Sequence, residues 1–178
     1  MKTLVLLCCV FIIGCTAKKT EPPIRSTAQE ESAITDLVNF FYDGMKKAYT
    51  GQSVNTDSLL EYYFEPDIYY ITPWGWSEPL DSTKARLRNA RSHITDYDIR
   101  IENLTVRSFG DGGYAFFILQ QNSTIDGVLL EEYLPTTFVV QRKGDRWKII
   151  HCHRSTDYET FQQYIQLQKH PEAKKPSK

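Results

Sequence analysis

The sequence has no surplus of charge of either sign: 21 Lys and Arg stand against 22 Asp and Glu, for a net charge of −1. That balance excludes the basic footprint of a nucleic-acid binder. Glycine and proline are sparse, 9 and 8 of 178 residues, which excludes a collagen-like or low-complexity chain. Long apolar runs are missing too. The longest covers residues 4–13, about half of the roughly 20 residues a membrane-spanning helix needs. There is no disulfide framework either. Cys8, Cys9 and Cys15 crowd the first fifteen residues, and only Cys152 lies in the body of the chain. What the chain does have is aromatic side chains, 13% of residues with 11 Tyr. They suit a filled core or an aromatic-lined pocket, and the length suits one domain.

The short apolar run follows Lys2 and closes on Ile12-Ile13-Gly14-Cys15. Its length is that of a secretory leader, and its ending resembles a bacterial lipoprotein signal. That resemblance implies cleavage before Cys15, a leader over 1–14 and acylation of Cys15. A lipidated Cys carries two or three acyl chains, enough for stable anchoring at about 0.8 kcal/mol per buried CH₂. The expected location is the bacterial cell envelope, facing the periplasm or the exterior. Residues 15–28 hold Lys18, Lys19, Pro22 and Pro23 without apolar periodicity and read as a tether. Residues 170–178, with two Pro and three Lys, read as a disordered tail.

Between these ends the patterns alternate. Thr27 to Glu30 has a capping-box spacing, and Ile34, Leu37, Val38, Phe41, Met45 and Ala48 recur at helical steps to about Tyr49. Asp57–Phe64 reads as a short helix, Ile68–Thr72 as a strand, and Asp81–Arg91 as a third helix. From Tyr97 the period changes to long strands: Tyr97–Arg107, Tyr114–Thr124, Val128–Gln141 and Arg146–Arg154. A bulge is expected between Ile101 and Leu104, and another irregularity or an unpaired position at Pro135. Residues 157–169 form a terminal helix. Helices segregated from an antiparallel sheet predict an α+β domain over 29–156. A curved sheet with a helix across its concave side leaves room for a cavity.

The element order over Gln29–Thr156 resembles the nuclear transport factor 2-like superfamily, which includes SnoaL-like cyclases and ketosteroid isomerase. The last strand, Gly144-Asp-Arg-Trp147-Lys-Ile-Ile-His151-Cys-His153-Arg154-Ser155, is similar to the strand that ends SnoaL-like proteins. It is also similar to that of the association domains of calcium/calmodulin-dependent kinase II. The resemblance implies a cone-shaped, cystatin-like α+β fold with a curved antiparallel sheet. For the association-domain branch it also implies homo-oligomers and a pocket containing arginines. One of those arginines is retained as Arg154, while two others fall on Gln120 and Phe138.

Candidate chemistry then divides among a few residues. His151 and His153 share one strand face and are the candidates for a pocket general base. They are two metal ligands at most, short of the three a zinc site needs, so neither a metal nor a cofactor is expected. Arg154, if it faces the cavity, needs an acidic partner or an anionic ligand, and Glu132 is the candidate partner. Tyr42, Tyr70, Trp74 and Gln120 complete the expected pocket wall. These residues support three readings: a lipid-anchored binder of a small organic molecule, an acid-base enzyme of the cyclase, isomerase or dehydratase type, or a scaffold that self-associates through its sheet face.

Overall fold

The computed structural model of the protein describes residues 26–169, without the side chains of Gln163 and 166–169. The expected leader, Cys15, most of the tether and the tail lie outside the described residues. No helix among the described residues is long and apolar enough to cross a membrane.

Helix α1 spans Thr27–Tyr49 and buries one stripe, with Ile34, Leu37, Val38, Phe41, Tyr42, Met45 and Ala48 inside. Its cap lies one residue earlier than the sequence suggests. Ser26 accepts from the Gln29 N–H, and the Gln29 side chain returns a bond to the Ser26 backbone. Glu30 is thereby released for a longer-range task. It is buried, accepts from Trp147 Nε1 at 3.1 Å and pairs with Arg142, tying the start of the helix to the sheet. Helix α2 (Thr56–Tyr63) and strand β1 (Phe64–Ile71) follow. The strand β2 (Ser77–Glu78) and helix α3 (Leu80–Arg91) come next.

The long strands are β3 (Ile94–Phe109), β4 (Gly112–Ile125), β5 (Val128–Lys143) and β6 (Arg146–Arg154). Sheet order is β2-β1-β6-β5-β4-β3. The four long strands form the expected antiparallel meander. The sheet as a whole is mixed rather than purely antiparallel, because β1 runs parallel to β6. The expected β3 bulge is present: register shifts between Glu102 and Thr105, with Asn103 at φ 54°. Pro135 makes no bulge, because it keeps register with Ile118 of β4. Its carbonyl, and hence its missing N–H, points to the β6 side, where Ser155 N–H donates to that carbonyl just past the end of β6.

The inner sheet face is apolar at alternate positions: Ala115, Phe117 and Leu119 on β4, and Leu130, Leu134, Phe138 and Val140 on β5. Helix α1 lies on this face, and one glycine sets how closely. A Cβ at Gly113 would stand 2.8 Å from both the Arg107 carbonyl oxygen and Ile34 Cδ1. Helix α4 (Tyr158–Lys169) closes the described chain, with Asp157 accepting from the Thr160 N–H and hydroxyl.

Candidate functional site

A second bulge decides what faces the inside. On β6, Trp147 and Ile149 are buried, and strict alternation would turn His151 and His153 inward as well. Register shifts by one at Ile150, between the pairs Val140–Ile149 and Val139–His151. From there the inward positions are Cys152 and Arg154. The histidines emerge on the outer face, where His151 stacks on exposed Tyr69 at 5.9 Å. Neither histidine lines the cavity, so the pocket-base role expected for them has no geometric support.

The space behind this bulge is a cavity of about 150 Å³. That is the size of an engineered apolar cavity that holds one benzene. Its walls come from α1 (Tyr42, Met45, Tyr49), α3 (Thr83, Arg86, Leu87, Ala90), β1 (Tyr70), β3 (Tyr97), β4 (Gln121, Ser123), β5 (Leu130, Glu132, Leu134) and β6 (Arg154). Trp74 and Tyr164 also line it, half-buried and stacked 4.5 Å apart.

Arg154 brings a guanidinium into this space. Its Nη2 donates to the Tyr42 hydroxyl at 2.8 Å, and the guanidinium stands 5.7 Å and 6.0 Å from the ring centres of Tyr42 and Tyr70. Its Nε is sealed from solvent and has no hydrogen-bond partner among the described residues. The Cys152 thiol, a weak acceptor, is close enough to feel the charge but makes no hydrogen bond of ordinary geometry with Nε. No carboxylate among the described residues comes within 4.0 Å of the guanidinium. Arg86, by contrast, is neutralised within the protein. Its Nε and Nη2 both donate to Glu78 Oε1, at 2.9 Å and 2.6 Å, while the guanidinium lies 5.5 Å from the Tyr70 ring centre.

A polar relay lines the β4–β5 side. Tyr97 donates to Gln121 Oε1 at 3.0 Å, and Gln121 Nε2 donates to Glu132 Oε2 at 2.6 Å. Beside it, the Ser123 hydroxyl is buried without a partner among the described residues. Burial raises the Glu132 pKa, opposed by the Gln121 hydrogen bond and then by the charges of Arg154 and Arg86. Burial pushes the Cys152 thiol up to about 12 despite Arg154, so it is protonated at neutral pH and a poor nucleophile. Burial likewise raises Tyr42 and Tyr97, and pushes Tyr49 up to about 12. The phenols therefore act as neutral hydrogen-bonding groups.

A sequence profile of the SnoaL-like domain matches residues 38–159. The chain belongs to the SnoaL-like domain family. No curated protein sequence matches it. Solved structures place the SnoaL-like domain in the nuclear transport factor 2-like fold. A superfamily protein from Salmonella enterica serovar Typhimurium is similar at TM-score 0.63 and 16% identity, over 74% of this chain and 93% of that one. The calcium/calmodulin-dependent kinase II hub of S. rosetta is similar at TM-score 0.60 and 17% identity, over 76% and 100%. A protein of this fold from Cytophaga hutchinsonii gives 0.56 and 15%, over 69% and 98%. At these identities the likeness shows the fold alone.

Within the SnoaL-like domain, five expected wall residues converge on the cavity: Tyr42, Tyr70, Trp74, Glu132 and Arg154. Gln120 does not. It sits on the outer face, donating to the Tyr133 hydroxyl at 2.7 Å, and its neighbour Gln121 takes the cavity position. Alternation with Phe117 and Leu119 carries that signal in the sequence. Arg86 was legible as well. Thr83, Arg86, Leu87 and Ala90 follow the i, i+3, i+4, i+7 stripe of a buried helix face. Glu132 lies on the inner face as expected, but it is not the ion-pair partner of Arg154; each is held by its own neutral neighbour. Among the described residues, no group of three or more His, Cys, Asp or Glu is placed to hold a metal ion.

Proposed function

We propose that the protein is a lipid-anchored binding module of the bacterial cell envelope. It holds a small organic acid in the cone, with the ligand carboxylate on Arg154. One observation carries this reading: a guanidinium inside the domain, with an unused Nε donor and no carboxylate against it. An unpaired charge partly removed from water carries a cost, and arginine is the side chain best matched to a carboxylate. The surrounding Tyr42, Tyr70, Met45 and Leu134 offer an apolar surface to the rest of the ligand. The acid-base enzyme reading is less favoured, because both histidines lie outside the cavity. Anchoring through acylated Cys15 places the module at the membrane surface, facing the periplasm or the exterior. The outer sheet face exposes Tyr69, Tyr114, Phe116 and Tyr133, a surface suited to a homo-oligomer.

The binding reading is tested by calorimetric titration of the full chain with pentanoate and with its neutral isostere pentanamide. Pentanoate is expected to bind at least tenfold more tightly, about 1.4 kcal/mol. Equal affinity would refute a guanidinium seat for the ligand. The anchoring is tested by membrane fractionation of Cys15→Ala, which is expected to move the protein to the soluble fraction. Retention on the membrane would contradict acylation at Cys15.

A further inference from the structure

A carboxyl group without a cationic partner faces the same cavity. Glu132 is 7% exposed. One of its oxygens accepts from Gln121, and its other oxygen accepts no hydrogen bond among the described residues. No Lys, Arg or His among the described residues reaches it within 4.0 Å. Next to it on the same wall, Ser123 is 2% exposed with an unpartnered hydroxyl. Glu132 and Arg154 face one cavity, yet they do not collapse into an ion pair. Gln121 holds the carboxylate and Tyr42 holds the guanidinium. Each charge is therefore presented to whatever fills the space between them.

We propose that the ligand is a small amino acid whose amine and carboxylate lie at opposite ends of a short chain. The carboxylate sits on Arg154, and the ammonium sits between Glu132 and the Ser123 hydroxyl. This rests on the Arg154 reading and extends it. The charge count supports it: a ligand with both ends meets both the half-buried guanidinium and the buried carboxyl, whereas a plain carboxylate leaves Glu132 without a counter-ion. The separation of the ends follows from the register. Arg154 pairs across the sheet with Thr136, four positions from Glu132 on β5. At roughly 3.3 Å per residue that is about 13 Å between backbone positions, which the two side chains close in part. Groups at opposite ends of a chain span more of this gap than groups on one carbon. The aromatic and aliphatic walls between the poles, Tyr42, Tyr97 and Leu134, suit the intervening methylenes.

The test uses four probes of matched carbon count on the full chain: pentanoate, pentylamine, 5-aminopentanoate and 2-aminopentanoate. In calorimetric titrations, 5-aminopentanoate is expected to bind about tenfold more tightly than pentanoate, and 2-aminopentanoate no better than pentanoate. In Glu132→Gln the advantage of 5-aminopentanoate is expected to vanish while pentanoate still binds, at least as tightly as before, because a negative group leaves the cavity. The retained pentanoate binding shows that the variant is folded. Pentanoate binding as tightly as 5-aminopentanoate in the unaltered protein would overturn the two-ended ligand and leave the Arg154 seat standing. So would an unchanged preference in Glu132→Gln. No binding of any probe at millimolar concentration would overturn both readings together.

Discussion

Replacing Arg154 with methionine is expected to weaken pentanoate binding roughly ten- to hundredfold and, at the same time, to raise the melting temperature of the empty protein. The two effects have one cause. In the empty protein the half-buried guanidinium has no carboxylate partner among the described residues, and its Nε, sealed from solvent, has no hydrogen-bond partner among them either. Exchanging unfavourably placed buried charge for apolar volume is commonly neutral or stabilising by about 1–4 kcal/mol. Methionine keeps the length and flexibility to pack against the rings of Tyr42 and Tyr70. Against this, the Tyr42 hydroxyl loses the donor it now has at 2.8 Å, a cost of about 1 kcal/mol. The net expectation is a gain of about 1–2 kcal/mol, or several degrees for a domain of this size. Binding moves the other way. Loss of a charge-assisted hydrogen bond to a carboxylate costs about 1.5–3 kcal/mol, roughly ten- to hundredfold in affinity. A thermal melt and a titration on the same sample check both. A residue kept for packing would lose stability when replaced; one kept for a ligand gains it.

The largest loss of stability is expected from Phe138→Ala. Phe138 is fully buried on the inner face of β5. Its ring centre lies 5.2 Å from Phe117, 5.9 Å from Phe41 and 6.5 Å from Phe64, with the ring edge-on to each. Tyr42 stacks on it at 6.0 Å. The side chain thus joins the sheet to α1, and truncation leaves a cavity that the rigid strands cannot close. Phe→Ala at such a site costs about 3–5 kcal/mol, readable as a lower urea midpoint. Tyr42 is also the group that orients Arg154. The variant is therefore expected to weaken pentanoate binding as well, without touching the ligand. A cost below about 1 kcal/mol would mean that Phe138 does not hold the core as described.

The resemblance of the last strand pointed to the fold, and the long periodic segments pointed to its elements. Helix α1 was legible because its apolar stripe runs unbroken from Ile34 to Ala48. The β3 bulge was legible because the apolar phase switches between Ile101 and Leu104. The cavity walls were legible where a strand keeps one period, as at Glu132 among Leu130, Leu134 and Phe138. They were not legible where the period breaks without a local sign. On β6, Ile149 and Ile150 are both apolar, so the one-residue shift at Ile150 leaves no trace in hydropathy. Yet that shift decides between the histidines and Arg154. Gln120 and Gln121 are a different case: the period of β4 holds, and parity with Phe117 and Leu119 points to Gln121. Parallel pairing of β1 with β6 and the stacking of Tyr164 on Trp74 join segments far apart in the chain, which local patterns do not encode.

If Arg154 Nε seats the ligand's carboxylate, the Nε–H group itself reports it. Its N–H is shielded from solvent, so its ¹H–¹⁵N resonance should be observable at neutral pH and assignable by its loss in Arg154→Met. Titration with pentanoate is expected to shift this signal downfield, as a carboxylate takes up the unused donor, and pentanamide is expected to shift it far less. A pentanoate titration that saturates while the Arg154 signal stays where it was would contradict the account.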